Sequence, residues 1–271
     1  MSALRWPTFA VSAEPLMKFG CWAFLSVYPA AMLGTLINVG GILAGGIAGL
    51  FWRKPFTPAL EARLKIILAA FTVFFGLRLT WISFSGSFGQ IARQFLILMF
   101  ALSLGKILGH LLGLQALSNR LGRGAREYIS RAKPGRPGLI GEGFKTCAML
   151  FCASPLGILG SVQDGLSQYY YPLSIKAVVD GLASFGFISL FGWGCILSVL
   201  PVFVFQGTIT LACARMLEPF LASHGLVNSV NAVGGMLVFS VALVMLGLKR
   251  IELADYLPSL VVAPLLTAAW R

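Results

Sequence analysis

The chain has 271 residues, of which 58% are hydrophobic and 11% charged, less than half the roughly 25% charge of a soluble domain. Such a chain cannot cover a soluble surface, so the bilayer must be its solvent; at about 20 apolar residues per helix there is room for about eight spans and none for a separate soluble domain. The net charge of +12, from 21 Lys and Arg against 9 Asp and Glu, gathers in short segments between apolar runs, as the positive-inside rule requires of loops and as a nucleic-acid surface does not.

In chain order, residues 1–31 read as an extension ahead of Met32-Leu33-Gly34-Thr35, itself a natural start. They lack the pattern of a cleavable signal peptide, and Pro29 ends the short apolar run there. Residues 32–271 read as one membrane domain. The first span is expected over 30–51, with Asn38 as its polar residue and Gly41, Gly45 and Gly49 on one face, where a second backbone can come close. A basic loop follows, and the second span, 64–83, ends at Trp81, which fits an interfacial belt. The third, 94–114, repeats the glycine stripe at Gly105, Gly109 and Gly113 and carries Lys106 and His110 near its end, where long cationic side chains snorkel to the headgroups.

Residues 115–140 are strongly basic, yet Leu114, Leu117, Leu121 and Ala125 keep a helical period. This predicts an amphipathic helix at the membrane surface, followed by a Pro/Gly linker over 134–138. The fourth span, 143–162, is interrupted at Ser154-Pro155, because proline removes a backbone donor and frees a carbonyl. The fifth, 173–191, contains Lys176 and Asp180, four apart and able to pair on one helix face. The sixth, 195–217, holds Pro201 and then Gln206-Gly207-Thr208; the seventh, 227–248, holds Asn231; the eighth begins near 256.

With the 115–140 segment in the cytoplasm, the 52–63 loop, Lys249 and Arg250 also fall inside, while 84–92, 164–172 and 218–226 fall outside with little positive charge. Both termini are then external. Gly34-Thr35 resembles Gly207-Thr208, and Gly76-Leu77-Arg78 resembles Gly247-Leu248-Lys249, at almost the same displacement. That relation would make spans 1–3 and 6–8 an inverted repeat, a common transporter plan. A rival match pairs Val39-Gly40-Gly41-Ile42-Leu43 with Val233-Gly234-Gly235-Met236-Leu237, and so span 1 with span 7.

Several of these stretches occur together, and in order, in a known family. Met32 to Asn38, Gly160-Ser161-Val162-Gln163-Asp164-Gly165-Leu166, Lys176 to Ser184, Leu200-Pro201-Val202-Phe203, Phe205 to Thr210 and Asn231-Ala232-Val233-Gly234-Gly235 resemble the YdfK/YqgA-like membrane proteins, catalogued as domain of unknown function 554. The resemblance covers about 32–271. It implies a multi-pass protein of the bacterial inner membrane and supplies no substrate; the first 31 residues and the long basic segment depart from it.

The candidate site is built on Asp164 and Asp180, two acids flanked by apolar chain at spanning length. A carboxylate there is costly and marks a functional hypothesis, here a solute or ion site between the broken spans 4 and 6 and span 5. Lys176 is the counter-charge. Ser161, Gln163, Gln206, Thr208 and Asn38 are neutral oxygen donors of the kind that suits a hard cation, and Asn231 completes the set. A structural reading stands beside it: Asp164 caps a helix end, Asp180 only neutralises Lys176, and Asn38 makes an interhelical hydrogen bond. His110 and His224 fall at unrelated places and no serine has an evident base, so no catalytic residues or cofactor are expected. The five cysteines form no CxxC pair and read as small buried apolar residues, with no metal site. The expected partners are the lipid bilayer, a small solute or ion, and a second copy joined through the glycine stripes. The expected function is a secondary transporter or small-solute permease, with a membrane sensor or assembly partner as the alternative and a membrane-embedded enzyme behind both.

Overall fold

The computed structural model describes residues 32–52, 57–132 and 138–270. The expected extension at 1–31, with Cys21, and most of the 134–138 linker lie outside them. The described residues are helical throughout, with short 3-10 and π turns and no strand.

Helix α1 is Leu33–Phe51, α2 is Pro58–Ser83 and α3 is Phe88–Leu111. Thr57 starts α2 by accepting the Leu60 N–H at 3.3 Å, with Pro58 in the first turn, where a missing N–H costs nothing. The Gln90 side chain closes the start of α3 by accepting the Ser87 N–H at 2.7 Å. Large apolar side chains such as Phe71, Phe74, Trp81, Phe95, Phe100 and Ile107 point outward, as a lipid-facing surface requires.

Helix α4, Leu114–Arg131, is the expected amphipathic helix. Its apolar face is held by protein as well as facing outward: Ala125 is fully buried and Ile129 packs near Phe191 and Cys147, whereas Leu117 stays exposed. Next come α5, Leu139–Cys152, and α6, Pro155–Ser167, which meet at a 58° bend. Ser154 is extended there and Pro155 opens the new helix, so the expected interruption is a true break.

Helix α7 is Tyr171–Phe191 and α8 is Val199–Ala212, joined by a 3-10 turn over Gly192–Ser198. Gly192 has φ +68, which an L side chain rarely adopts. A π turn, Cys213–Leu217, follows α8 and leads into α9, Glu218–Ser223. Pro219 lacks the N–H that the Arg215 carbonyl would take in an unbroken helix, which accounts for the looser turn. Helix α10 is Val227–Met245, and a 3-10 turn at Leu253–Tyr256 leads into α11, Ser259–Ala269.

Five runs are long and apolar enough to cross a bilayer, or six if α5 and α6 form one bent span, where the sequence predicts about eight. Two places account for the difference. Residues 171–223 count as one run, although α7 and α8 are opposed in direction. Helix α11 has 11 residues, about 16 Å against a hydrocarbon core of about 30 Å. It nevertheless runs beside α3 from Gly109, against Asp255, to Arg93, whose guanidinium donates to the Trp270 carbonyl at 3.2 Å.

The closest helix pairs are made by glycine. On α1, Gly34, Gly41, Gly45 and Gly49 meet Leu173, Ala177, Gly181 and Phe185 of α7 in the same order, so these helices run parallel. A Cβ on Gly45 would lie 2.0 Å from the Gly181 carbonyl oxygen. In the second stripe Gly105 and Gly109 receive Ser259 and Asp255, while Gly113 faces open space and turns the chain at φ +66. Both stripes thus serve packing within one chain.

Three further pairs run antiparallel. In α1 and α8, Thr35 faces Thr210 and Asn38 faces Gln206. In α2 and α10, Gly76 lies against Gly235 and Thr80 donates to the Ala232 carbonyl at 3.1 Å. The third pair is α3 and α11. These antiparallel pairs join spans 1–3 to spans 6–8 in the order in which the expected inverted repeat relates them; the rival match relates α1 to α10.

Most of the positive charge lies at one end of the bundle, where Arg63, Lys65, Lys106, the arginines of α4, Lys145, Lys249 and Arg250 collect, while Arg78, Arg93 and Arg215 lie toward the other. The turns at the other end, 84–87, 168–170 and 224–226, hold no Lys, Arg, Asp or Glu. Tyr169 anchors the second of them: its phenol donates to the Phe75 carbonyl at 2.7 Å, and burial pushes its pKa up to about 12. Tyr170 and Tyr171 stack beside it.

Candidate functional site

Both acids are inside the protein, on two sides of the first turns of α1. Asp180 lies midway along the 21-residue α7. It pairs with Lys176 one turn earlier, at 6% and 1% exposure respectively. The Lys176 stem crosses Gly157, where a Cβ would lie 2.9 Å from its Cε, and its ammonium stands 5.8 Å from the centre of the Phe151 ring. Gly157 belongs to the first turn of α6, just after the break. The lysine head is therefore enclosed by the two halves of the bent span and by its own acid.

Two amides close this pocket of charge. Asn38 donates from Nδ2 to Gln206 Oε1 at 3.0 Å, and its side chain lies near the Asp180 carboxylate. Gln206 Nε2 sits 3.1 Å from where a Gly157 Cβ would be. Both amides are fully buried, and each keeps an atom without a hydrogen-bond partner, Asn38 Oδ1 and Gln206 Nε2. The hydroxyl of Ser184, one turn beyond Asp180, is buried and unpartnered as well. An unsatisfied buried polar atom costs about 1–3 kcal/mol. Orphan atoms beside a buried ion pair at mid-helix leave the cluster with hydrogen bonds to offer.

Asp164 has a different setting. Its Oδ2 accepts the Gly34 N–H at 3.0 Å, so it caps the first turn of α1 from across the bundle while its other oxygen is unpartnered. A Cβ on Gly34 would meet that carboxylate at 2.9 Å. The capping expected of Asp164 is real, but the capped helix is not its own. Next to it, Thr35 and Thr210 share a contact at 3.3 Å, and Thr210 donates to the Ser161 carbonyl, also at 3.3 Å. The Ser161 hydroxyl is used within its own helix, on the Gly157 carbonyl at 2.8 Å. Gln163 is fully buried against Gly234 with both amide atoms unpartnered.

The nine predicted residues thus divide. Asp180, Lys176, Asn38 and Gln206 form one cluster. Asp164, Ser161 and Gln163 lie along α6 farther from the break, with Thr35 and Thr210 between. Asn231 is engaged elsewhere: it exchanges hydrogen bonds with Ser167 at 2.7 and 3.0 Å. Thr208 leaves the set. It is exposed, and its hydroxyl donates to the Val204 carbonyl at 2.6 Å, because two positions beyond Gln206 a helix has turned to its opposite face. Thr35 and Thr210 are the hydroxyls that sequence reading missed; both lie one helical turn from a residue it chose, Asn38 and Gln206.

Asp255 is a further buried acid and reads in sequence as a loop charge. It is 2% exposed and accepts the Gln115 N–H at 2.8 Å, capping α4, while the Gln115 side chain accepts the Ala254 N–H at 3.1 Å. His110 stands 3.6 Å from it, largely exposed. His224 is exposed and uses its ring on the Phe220 carbonyl at 2.8 Å. Among the described residues, no three of His, Cys, Asp and Glu converge as metal ligands. Cys147 and Cys195 are free cysteines, both buried in one apolar cluster.

A half-open cleft of about 500 Å³ descends from the basic end between α2, α7 and α10. Glu61 and Lys65 line its entrance, and Ser154, Pro155 and Leu156 line it at the break. Val179 and Ala183 form the α7 side, flanking Asp180 on a neighbouring face. A second cleft of about 860 Å³, between α1 and α7, is apolar and open to the lipid side. Neither cleft is lined by Asp164 or Asp180.

The profile of a family described as "Protein of unknown function (DUF554)" matches residues 33–268. The chain is 29% identical over 233 residues to the "Uncharacterized membrane protein YdfK" of Bacillus subtilis (strain 168), covering 86% of this chain and 94% of the relative. It is 26% identical over 241 residues to the "Uncharacterized protein YqgA" of Escherichia coli (strain K12), covering 88% and 97%. No solved structure matches the chain.

Proposed function

From a chain that belongs to the DUF554 family of unknown function, and from its buried charge cluster, we propose a secondary transporter or permease of a small polar solute or ion. The observation that carries this reading is the Lys176–Asp180 pair at mid-helix, with Asn38 and Gln206 against it, at the break between α5 and α6. Charges at this depth are expensive. A helix break is tolerated in a membrane where protein or a cavity meets the freed backbone. A break, a buried charge pair and orphan amides in one place form a site that binds something polar. The cleft from the basic end stops at Ser154–Leu156, so that face is the one from which a solute approaches. By the positive-inside rule it is the cytoplasmic face, with the described chain beginning and ending outside, in the inner membrane of a bacterium.

The test uses purified protein in liposomes, after a panel of ions and metabolites has been screened for thermal stabilisation to find the solute. Asp180→Asn should abolish ion-driven uptake of the solute that the parent moves. Uptake that persists unchanged removes Asp180 from the coupling site and the reading with it.

A further inference from the structure

At the basic end of the bundle, α3, α10 and the segment after α10 enclose a half-open cleft of about 630 Å³ that the transport site does not use. Three cations line it: Lys106, one turn before the end of α3, and Lys249 and Arg250, just past α10. Each is exposed, and among the described residues none has an ion-pair partner; Glu252 is the one acid in the lining. Below them the wall is apolar, made by Met99 and Leu102 of α3 and Met236 of α10. The serines of this wall, Ser103 and Ser240, turn their hydroxyls onto their own helices at 2.9 Å. Tyr256 lies under the Lys106 ammonium, 5.5 Å from its ring centre, at the level where aromatic side chains mark the headgroup boundary.

We propose that this cleft binds an anionic phospholipid, its phosphate held by Lys106, Lys249 and Arg250 and its acyl chain lying against Met99, Leu102 and Met236. The charge alone would suit any phosphate: arginine offers a fork of donors and the lysines add point charge. The apolar wall below the cations decides for a lipid, because a soluble phosphate has nothing to place there. The position agrees, since cationic pockets between spans at the basic boundary are where anionic headgroups are available. This site is independent of the transport reading.

The experiment is a titration of the purified full chain in detergent with phosphatidylglycerol, with phosphatidylcholine of the same acyl chains, and with glycerol phosphate, followed by thermal unfolding and by native mass spectrometry. Phosphatidylglycerol should bind more tightly than phosphatidylcholine and raise the unfolding midpoint, and glycerol phosphate should do neither. Lys106→Gln, Lys249→Gln and Arg250→Gln combined should lower phosphatidylglycerol affinity about fivefold for each cation removed. The same change at Arg120, Arg123 and Arg126 on α4 should leave it at the parent's value. Should the triple variant fail to fold, Arg250→Gln alone carries the test. Parental affinity in the cleft variants overturns the proposal, and so does glycerol phosphate binding as tightly as the lipid.

Discussion

Asp180 and Asp164 look equivalent in sequence, and their surroundings make opposite demands. Asp180 answers a buried lysine, so Asp180→Asn leaves Lys176 enclosed without its counter-charge. We expect a loss of about 3–5 kcal/mol from that change. Replacing both partners, Lys176→Met with Asp180→Leu, removes the pair's desolvation cost and should leave the unfolding midpoint at or above the parent's. Transport should be absent in both. A double variant that is stable and still moves the solute would assign the pair to structure alone. Asp164 instead answers an N–H group. Asn can accept the same bond, so Asp164→Asn should stay close to the parent in thermal unfolding, while Asp164→Leu strips the cap from α1 and should cost about 1–2 kcal/mol. Equal losses in the two variants would mean that the charge, not the bond to Gly34, is what α1 needs.

At the scale of elements, the contact between α1 and α7 is set by backbone approaching backbone. Gly45→Ala places a methyl 2.0 Å from the Gly181 oxygen, so the helices must part, at a cost of about 1–3 kcal/mol. Gly40→Ala, five residues earlier on the same helix with nothing within 4 Å, should be neutral or stabilising, because alanine is the better helix former by about 1 kcal/mol. Unfolding of the two variants in detergent measures the difference; equal midpoints would mean that the stripe does not govern the pairing. The glycine spacing made this face legible in sequence, as proline at 155 made the break legible. The partner of the stripe was not legible, because small residues advertise a close approach without saying to what. The same limit applies at the site. Spacing could pair Lys176 with Asp180, since four residues is one helical turn. It could not bring Gln206 to Asn38 across 168 positions, nor tell that Thr208 faces away while Thr210 faces in. Asp255 escaped because a buried acid in a short loop has no periodic neighbours to mark it.

For the whole molecule, charge and cleft make one claim about sidedness, and it can be checked without knowing the solute. The chain has five cysteines, the four described ones being buried or half-buried, so single reporters belong in a cysteine-free variant. Ser85 is exposed on the turn between α2 and α3, at the end whose connecting turns hold no Lys or Arg; Ser130 is exposed on α4, at the basic end. A membrane-impermeant maleimide added to intact cells should label Ser85→Cys and leave Ser130→Cys unlabelled until the cells are opened. Ala183 supplies the harder test, because it lies in the cleft that stops at Ser154–Leu156. Ala183→Cys should react only from the side that reaches Ser130→Cys, and added solute should slow that reaction if the cleft is the approach to the Lys176–Asp180 cluster. Labelling of Ser130→Cys in intact cells would reverse the orientation. Labelling of Ala183→Cys from the Ser85 side would place the approach at the other end of the bundle, and the 58° break between α5 and α6 would then lie on the closed side of the site rather than at its entrance.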